Sequence, residues 1–230
     1  MLDELKQRVC QANCDLVTEG LVLQTFGNVS GVDRQSGRVV IKPSGVSYKT
    51  MSPDQMVVVA LETGEVVEGD LRASSDTPTH LALYRAFEGI GGVVHTHSPH
   101  ATAWAQARTD IPVLGTTHAD HFYGAVPVTR DLDGSEIADD YEANTGAVIV
   151  ERLADLDPCQ MSAALVAGHG PFAWGETVEQ AVDNAVALEI VARLAAQTLQ
   201  IVANPTPLSQ AMLDKHFLRK HGPGSYYGQQ

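Results

Sequence analysis

The sequence predicts an α/β fold in which helices pack against a mainly antiparallel sheet. Short β-branched runs separated by turn clusters fill the stretch from Gly27 to Leu61, the pattern of antiparallel hairpins. Long helical patterns lie on both sides of it, at residues 2–20 and 177–202. A further strand-like run, Gly92 to His97, is followed by a helical segment, Ala101 to Ala107. The 230 residues suit one domain spanning 1–230, with no internal repeat and no linker.

Taken in order, Leu2, Leu5, Val9, Ala12 and Leu16 recur at three- and four-residue spacing and give the first helix one apolar face, ending near Gly20. Arg38-Val39-Val40-Ile41-Lys42 follows the turn Gln35-Ser36-Gly37, and Val57-Val58-Val59 precedes the turn Glu62-Thr63-Gly64. Pro78, after Ser74-Ser75-Asp76-Thr77, opens a helix carrying Leu81, Leu83, Tyr84 and Phe87 that ends at Gly89. Gly92 to His97 reads as a central strand. Met161 to Trp174 reads as two apolar runs broken at Gly168-His169-Gly170, a turn by composition. Thr177-Val178-Glu179-Gln180 is a capping box for the longest helix, to about Val202, stopped by Pro205 and Pro207. A last helix runs from Ser209 to about Lys220 and leads to a Gly-rich tail.

A hydrophobic content of 44% with 19% charged residues predicts a packed core. The formal net charge of -13 argues against nucleic acid or an anionic membrane as partner. Met1-Leu2-Asp3-Glu4-Leu5-Lys6 has neither the basic start nor the apolar core of a signal peptide, and no apolar stretch is long enough to span a bilayer, so a cytoplasmic location is expected. Cys10, Cys14 and Cys159 are read as free thiols, with a metal or redox site at Cys10 and Cys14 as the alternative.

Residues two apart on a strand face the same way, so His95 and His97 can present both imidazoles to one point. His169 is the favoured third ligand, because glycines on either side allow close backbone approach at a strand break. Three neutral nitrogens with an open position make a site of catalytic type. By residue chemistry alone, His-x-His is equally compatible with hydrogen-bonded structural histidines. Asp76 is either a fourth ligand or base, or a helix-start residue. His80, His100, His118, His121 and His221 are expected to be surface or helix residues and not ligands.

Two segments could hold a phosphate. Ser74 and Ser75 stand before the Pro78 helix, where free N–H groups and the helix dipole favour an anion. Lys42-Pro43-Ser44-Gly45 offers a cation, a hydroxyl and a Gly turn, and Gly27-Asn28 could add an amide donor. Each also reads as an ordinary cap or turn.

These motifs, with Gly27-Asn28-Val29-Ser30, Gly115-Thr116-Thr117-His118-Ala119-Asp120, His169-Gly170-Pro171-Phe172-Ala173-Trp174-Gly175 and the tail Tyr226-Tyr227-Gly228-Gln229, closely resemble the class II (metal-dependent) sugar-phosphate aldolase and epimerase family. The resemblance covers essentially the whole chain and points to the epimerase branch, which interconverts L-ribulose 5-phosphate and D-xylulose 5-phosphate. It implies a single-domain α/β/α arrangement around a mostly antiparallel sheet, of the class II aldolase or adducin-head type. It also implies a homo-oligomeric fourfold ring with active sites shared between subunits, the tail 222–230 contributing to one of them. The implied metal ligands are His95, His97 and His169, with Asp76 near the metal, which would be Zn2+ or a substitute such as Mn2+. Gly27, Asn28, Lys42, Ser44, Gly45, Ser74 and Ser75 would bind the substrate phosphate, with Thr116, Glu142 and His216 in supporting roles. Asp120 and Tyr227 would be the proton-transfer pair.

Ala167-Gly168 stands where a Ser or His is expected before His169, and His121 where a Tyr is expected after Asp120. The alternatives within the resemblance are a sugar-phosphate aldolase, whose members carry Glu where this chain has Asp76, and a non-catalytic adducin-head-like module, which would not need three metal-binding histidines. The implied substrate is a small phosphorylated ketopentose of pentose catabolism, the arabinose route included.

Overall fold

The computed structural model describes residues 2–22, 24–222 and 224–226. Seven strands form one sheet in the order β4-β3-β2-β1-β5-β7-β6, and every adjacent pair is antiparallel. The strands are β1 (Gly27–Asp33), β2 (Arg38–Ile41), β3 (Val57–Ala60), β4 (Val66–Glu68), β5 (Gly92–Thr96), β6 (Ala163–Leu165) and β7 (Pro171–Gly175). The helices are α1 (Leu2–Thr18), α2 (Thr77–Ala86), α3 (Pro99–Ala107), α4 (Thr116–Ala119), α5 (Gly134–Ala138), α6 (Tyr141–Arg152), α7 (Val178–Ile201) and α8 (Gln210–His221).

Alternation along β1 sorts the helices onto two faces. Ser30 points one way, its hydroxyl 2.7 Å from His80 Nδ1 and 2.9 Å from Tyr84 Oη, both on α2. Gly31 faces the other way, where a Cβ would lie 2.7 Å from Val178 of α7 and 2.8 Å from Leu5 of α1. Glycine is therefore what lets α1 and α7 settle on the sheet, and the result is the α/β/α layering the resemblance implies. Asn13 of α1 ties that face to β1: it accepts from Val29 N–H at 2.9 Å and donates to the Val9 carbonyl at 2.8 Å. Losing such a fully buried amide would strand a β1 N–H, at a cost of about 1–3 kcal/mol.

The core runs along both faces and includes Trp174, Tyr84, Phe172, Leu16 and Ile41, all fully buried, each worth about 1.5–3 kcal/mol of apolar burial. Trp174 satisfies its indole N–H on the Pro158 carbonyl at 2.8 Å. Cys10 is buried, Cys14 half-buried and Cys159 exposed, all as free thiols. Burial pushes the Cys10 thiol up to about 11, which leaves it unreactive.

Several elements differ from the sequence expectation. β5 ends at Thr96, so His97 sits one residue past the strand. The Thr177 hydroxyl accepts from Gln180 N–H, but the Gln180 side chain returns to Glu176 N–H at 2.8 Å, one residue upstream of the expected partner. Three helices that apolar periodicity does not announce, α4, α5 and α6, lie between α3 and β6. α5 buries none of its residues and is held by a polar capping box between Asp133 and Glu136. His80 and His118 are helix residues as expected, but both are buried rather than at the surface. Among the described residues, no helix is long and apolar enough to cross a membrane.

Candidate metal centre and anion cavity

The pairing that places β5 between β1 and β7 also builds the centre of the site. Asn28 lies directly across from His95 on one side, and Phe172 on the other. His95 is buried, its ring stacked on Phe172 at 4.2 Å between centroids. Its Nδ1 lies 3.0 Å from the Pro171 carbonyl. A carbonyl can only accept, so Nδ1 carries the proton and Nε2 is left bare.

His97 follows immediately, and His169 arrives from the turn between β6 and β7. That turn needs its glycines. Gly168 has φ +69°, and a side chain there would also meet the Arg108 guanidinium, so glycine suits the position where the resemblance leads one to expect Ser or His. Gly170 is packed against the strand end, where a Cβ would fall 2.9 Å from the Thr96 carbonyl. The three imidazoles stand at the corners of a near-equilateral triangle, with centroids 4.8 to 5.0 Å apart. Their ligand atoms lie within 4.8 Å of one another.

Burial lowers the pKa of all three rings; at His95 the neighbouring histidines add to it, and at His97 and His169 the Asp76 carboxylate opposes it. Neutral rings converging on one point are the donor set a divalent transition metal requires, and they fit one. Among the described residues this is the one cluster of its kind, so Cys10 and Cys14 form no comparable centre.

The histidines open onto a cavity of about 340 Å³. It is lined by Thr25, Phe26, Gly27, Asn28, Lys42, Ser44, Gly45, Ser74, Ser75 and Asp76, together with His95, His97 and His169. Lys42 is 2% exposed, and burial lowers its pKa. Its ammonium reaches the Pro43 carbonyl at 3.2 Å and sits 4.9 Å over the Tyr48 ring, with no carboxylate partner among the described residues. A buried cation without a counter-ion is a place for an anion. A larger cavity, about 470 Å³, lies under the end of α8, but it gathers no cluster of metal-ligating groups.

Asp76 is the cap residue of α2, yet its side chain makes no capping bond. It instead accepts from Asn28 Nδ2 at 2.6 Å. One of the two N–H groups of Asn28 Nδ2 is thus spent on Asp76, and Oδ1 is buried and without a partner among the described residues. That atom can accept from a hydroxyl or a water, and it would repel a phosphate oxygen. Thr25 and Phe26 also line the cavity, and Tyr141 Oη lies 3.3 Å from His169 Nδ1. These three residues carry no local sequence signal for a site.

The remaining sequence candidates are elsewhere in the chain. Thr116, Asp120, Glu142 and His216 do not line this cavity. Asp120, at the end of α4, accepts from His216 Nδ1 at 3.0 Å and from Arg219 Nη2 at 2.9 Å on both oxygens, with Lys220 Nζ at 3.8 Å. Burial works to raise its pKa, but the hydrogen bonds from Arg219 and His216 outweigh burial and hold it below the usual value. Glu142 stands second on α6, its carbonyl accepting from Thr79 Oγ1 at 2.5 Å. Tyr227 lies outside the described residues. His121 stays half-buried beside Phe122, with ring centroids 6.3 Å apart.

The family model described as "Class II Aldolase and Adducin N-terminal domain" matches residues 7–196. A curated relative from Salmonella paratyphi A, named L-ribulose-5-phosphate 4-epimerase UlaF, is 55% identical over 228 residues, covering 99% of this chain and all of the relative. A relative of the same name from Salmonella typhi matches equally. Among solved structures, an L-fuculose 1-phosphate aldolase aligns with a TM-score of 0.79 at 24% identity, covering 93% of this chain and 94% of its own. The L-fuculose-1-phosphate aldolase of Thermus thermophilus aligns with a TM-score of 0.69 at 25% identity, covering 89% and 100%. With its fold, its histidine triad and these matches taken together, the chain belongs to the class II aldolase and adducin N-terminal domain family.

Proposed function

We propose that the protein is an L-ribulose-5-phosphate 4-epimerase, interconverting L-ribulose 5-phosphate and D-xylulose 5-phosphate. The observation that carries this reading is the 55% identity, across 99% of the chain, to a relative bearing that name. The geometry supports it, because the cavity joins a triad suited to a metal with a buried Lys42, without a carboxylate partner among the described residues, that suits a phosphate.

The carbon 4 hydrogen of a ketopentose is not next to the carbonyl, so direct proton removal is a poor route to inversion. Cutting and remaking the bond between carbons 3 and 4 is a better one. A divalent cation, Zn2+ or a substitute such as Mn2+, would be held by His95, His97 and His169 with Asp76 beside them, and supplies Lewis acidity at the ketone when bound. Lys42, Ser44, Gly45, Ser74, Ser75 and Gly27 hold the phosphate, so that the two-carbon aldehyde fragment turns over without leaving. Asn28 lines the same space, its Oδ1 free to accept from a substrate hydroxyl.

Each epimer's carbon 4 hydroxyl needs a proton acceptor on its own side. Asp120 and Tyr227 take these roles from a neighbouring subunit, with Thr116, Glu142 and His216 in support, in a homotetramer of fourfold symmetry. On this reading residues 1–230 act as one domain and the tail 222–230 completes the neighbour's site. The setting is cytoplasmic pentose catabolism, the arabinose route included. The test is a coupled assay for D-xylulose 5-phosphate formed from L-ribulose 5-phosphate by protein stripped with chelator and then reloaded. Activity that returns with the metal is the expected result, and a flat trace with metal present contradicts the reading.

A further inference from the structure

We infer that Tyr141 is a positioning residue for His169: in the metal-bound protein its phenol oxygen accepts the His169 Nδ1 proton and so holds the ring with a bare Nε2 for the metal. The inference rests on the reading of His95, His97 and His169 as the metal centre.

A neutral imidazole carries one N–H, and only its bare nitrogen can bind a cation. His95 has its choice made by the Pro171 carbonyl, which can only accept. Among the described residues His169 has no such carbonyl, and its Nδ1 faces Tyr141 Oη at 3.3 Å. A phenol can donate or accept. If it donates to Nδ1, the proton of His169 must sit on Nε2, and the ring is lost to the metal. If it accepts, Nε2 is bare and the ring is set for ligation. Binding a cation therefore selects the accepting state and turns the Tyr141 hydroxyl proton away from His169.

The chain around Tyr141 is braced for this. Asp140, just before it, adopts φ +53°, a left-handed conformation that Asp tolerates, and that fixes the direction in which α6 starts. Asn144 Nδ2 donates to the Asp139 carbonyl at 2.7 Å and the Glu136 carbonyl at 3.0 Å, locking the same turn. Thr79 and Glu142 join α6 to α2, the helix that Asp76 caps. Tyr141 thus links the His169 turn to the helix bearing Asp76.

Partners of metal-bound histidines typically change metal affinity by about ten- to a hundredfold when removed. The experiment compares the full-length protein with Tyr141→Phe, which keeps the ring and removes the oxygen. Zn2+ is titrated into each metal-free protein against a chromophoric chelator, the visible spectrum of each Co2+ form is recorded, and metal-free melting is followed. Tyr123→Phe, which removes a hydroxyl bonded to Asp214 outside the cavity, is the control. Tyr141→Phe is expected to bind Zn2+ about tenfold more weakly, with shifted Co2+ bands and unchanged metal-free melting, while the control matches the parent. Equal affinity and an identical Co2+ spectrum would overturn the inference. So would weaker binding with an equally lowered metal-free melting temperature, which would make the hydroxyl structural. A parent protein that binds no metal would instead bring down the metal-centre reading itself, and the inference with it.

Discussion

The cavity at the end of β1 and β5 and the Asp120 cluster between α4 and α8 treat their polar groups in opposite ways. In the cavity, groups are left unsatisfied. Among the described residues, Asn28 Oδ1 is buried without a partner, Lys42 has no counter-ion, and three neutral imidazoles converge. Around Asp120 the carboxylate is saturated, taking hydrogen bonds from His216 and Arg219 with Lys220 nearby. Unpaired buried polar atoms are costly and persist where a ligand satisfies them. The difference teaches that a single chain leaves the groups of its histidine cavity open to a ligand, the half-site for metal and phosphate of the proposed function, while its Asp120 is held in place and kept ionised by its own chain. The proposed function needs both halves, and in the proposal they come from adjacent chains.

The comparison is broken most severely at the metal. His97→Asn leaves two imidazoles and is expected to lose both bound metal and activity, read by elemental analysis and the coupled assay. Full retention of metal would show that the ligands are others. The same variant tests the sharing of halves. Mixed with Tyr227→Phe, itself nearly inactive, and allowed to co-assemble in equal amounts, it should regain roughly a quarter of full activity, since sites pair independent chains. Verified co-assembly without recovery would place both halves in one chain. A smaller effect is expected from Lys42→Met, which fills similar space without charge. Losing a charge-assisted hydrogen bond of about 2 kcal/mol should raise KM about thirtyfold, with metal content unchanged. An unaltered KM would remove Lys42 from the phosphate site.

The readable parts of the sequence are those with local causes. The valine runs of β2 and β3 and the apolar face of α1 follow from side-chain periodicity, and the histidine triad from a His-x-His at a strand end and a histidine between two glycines. Long-range pairings leave no such mark. Asn28 and Asp76 lie 48 residues apart, and nothing near either foretells that the amide donates to the carboxylate. Tyr141 comes to His169 only because α6 packs on α2 after a left-handed Asp140. α5 gives no periodic signal because polar caps, not an apolar face, hold it. The roles of Asp120, Tyr227, Thr116, Glu142 and His216 rest on resemblance alone, since no spacing along the chain links them to the triad.

Turnover in deuterium oxide tests the proposed chemistry most directly. Cleaving and remaking the bond between carbons 3 and 4 never detaches the carbon 4 hydrogen, so D-xylulose 5-phosphate formed from L-ribulose 5-phosphate should show no deuterium at carbon 4 by NMR or mass spectrometry. Solvent deuterium at that carbon would mean deprotonation and reprotonation there, and would contradict the account.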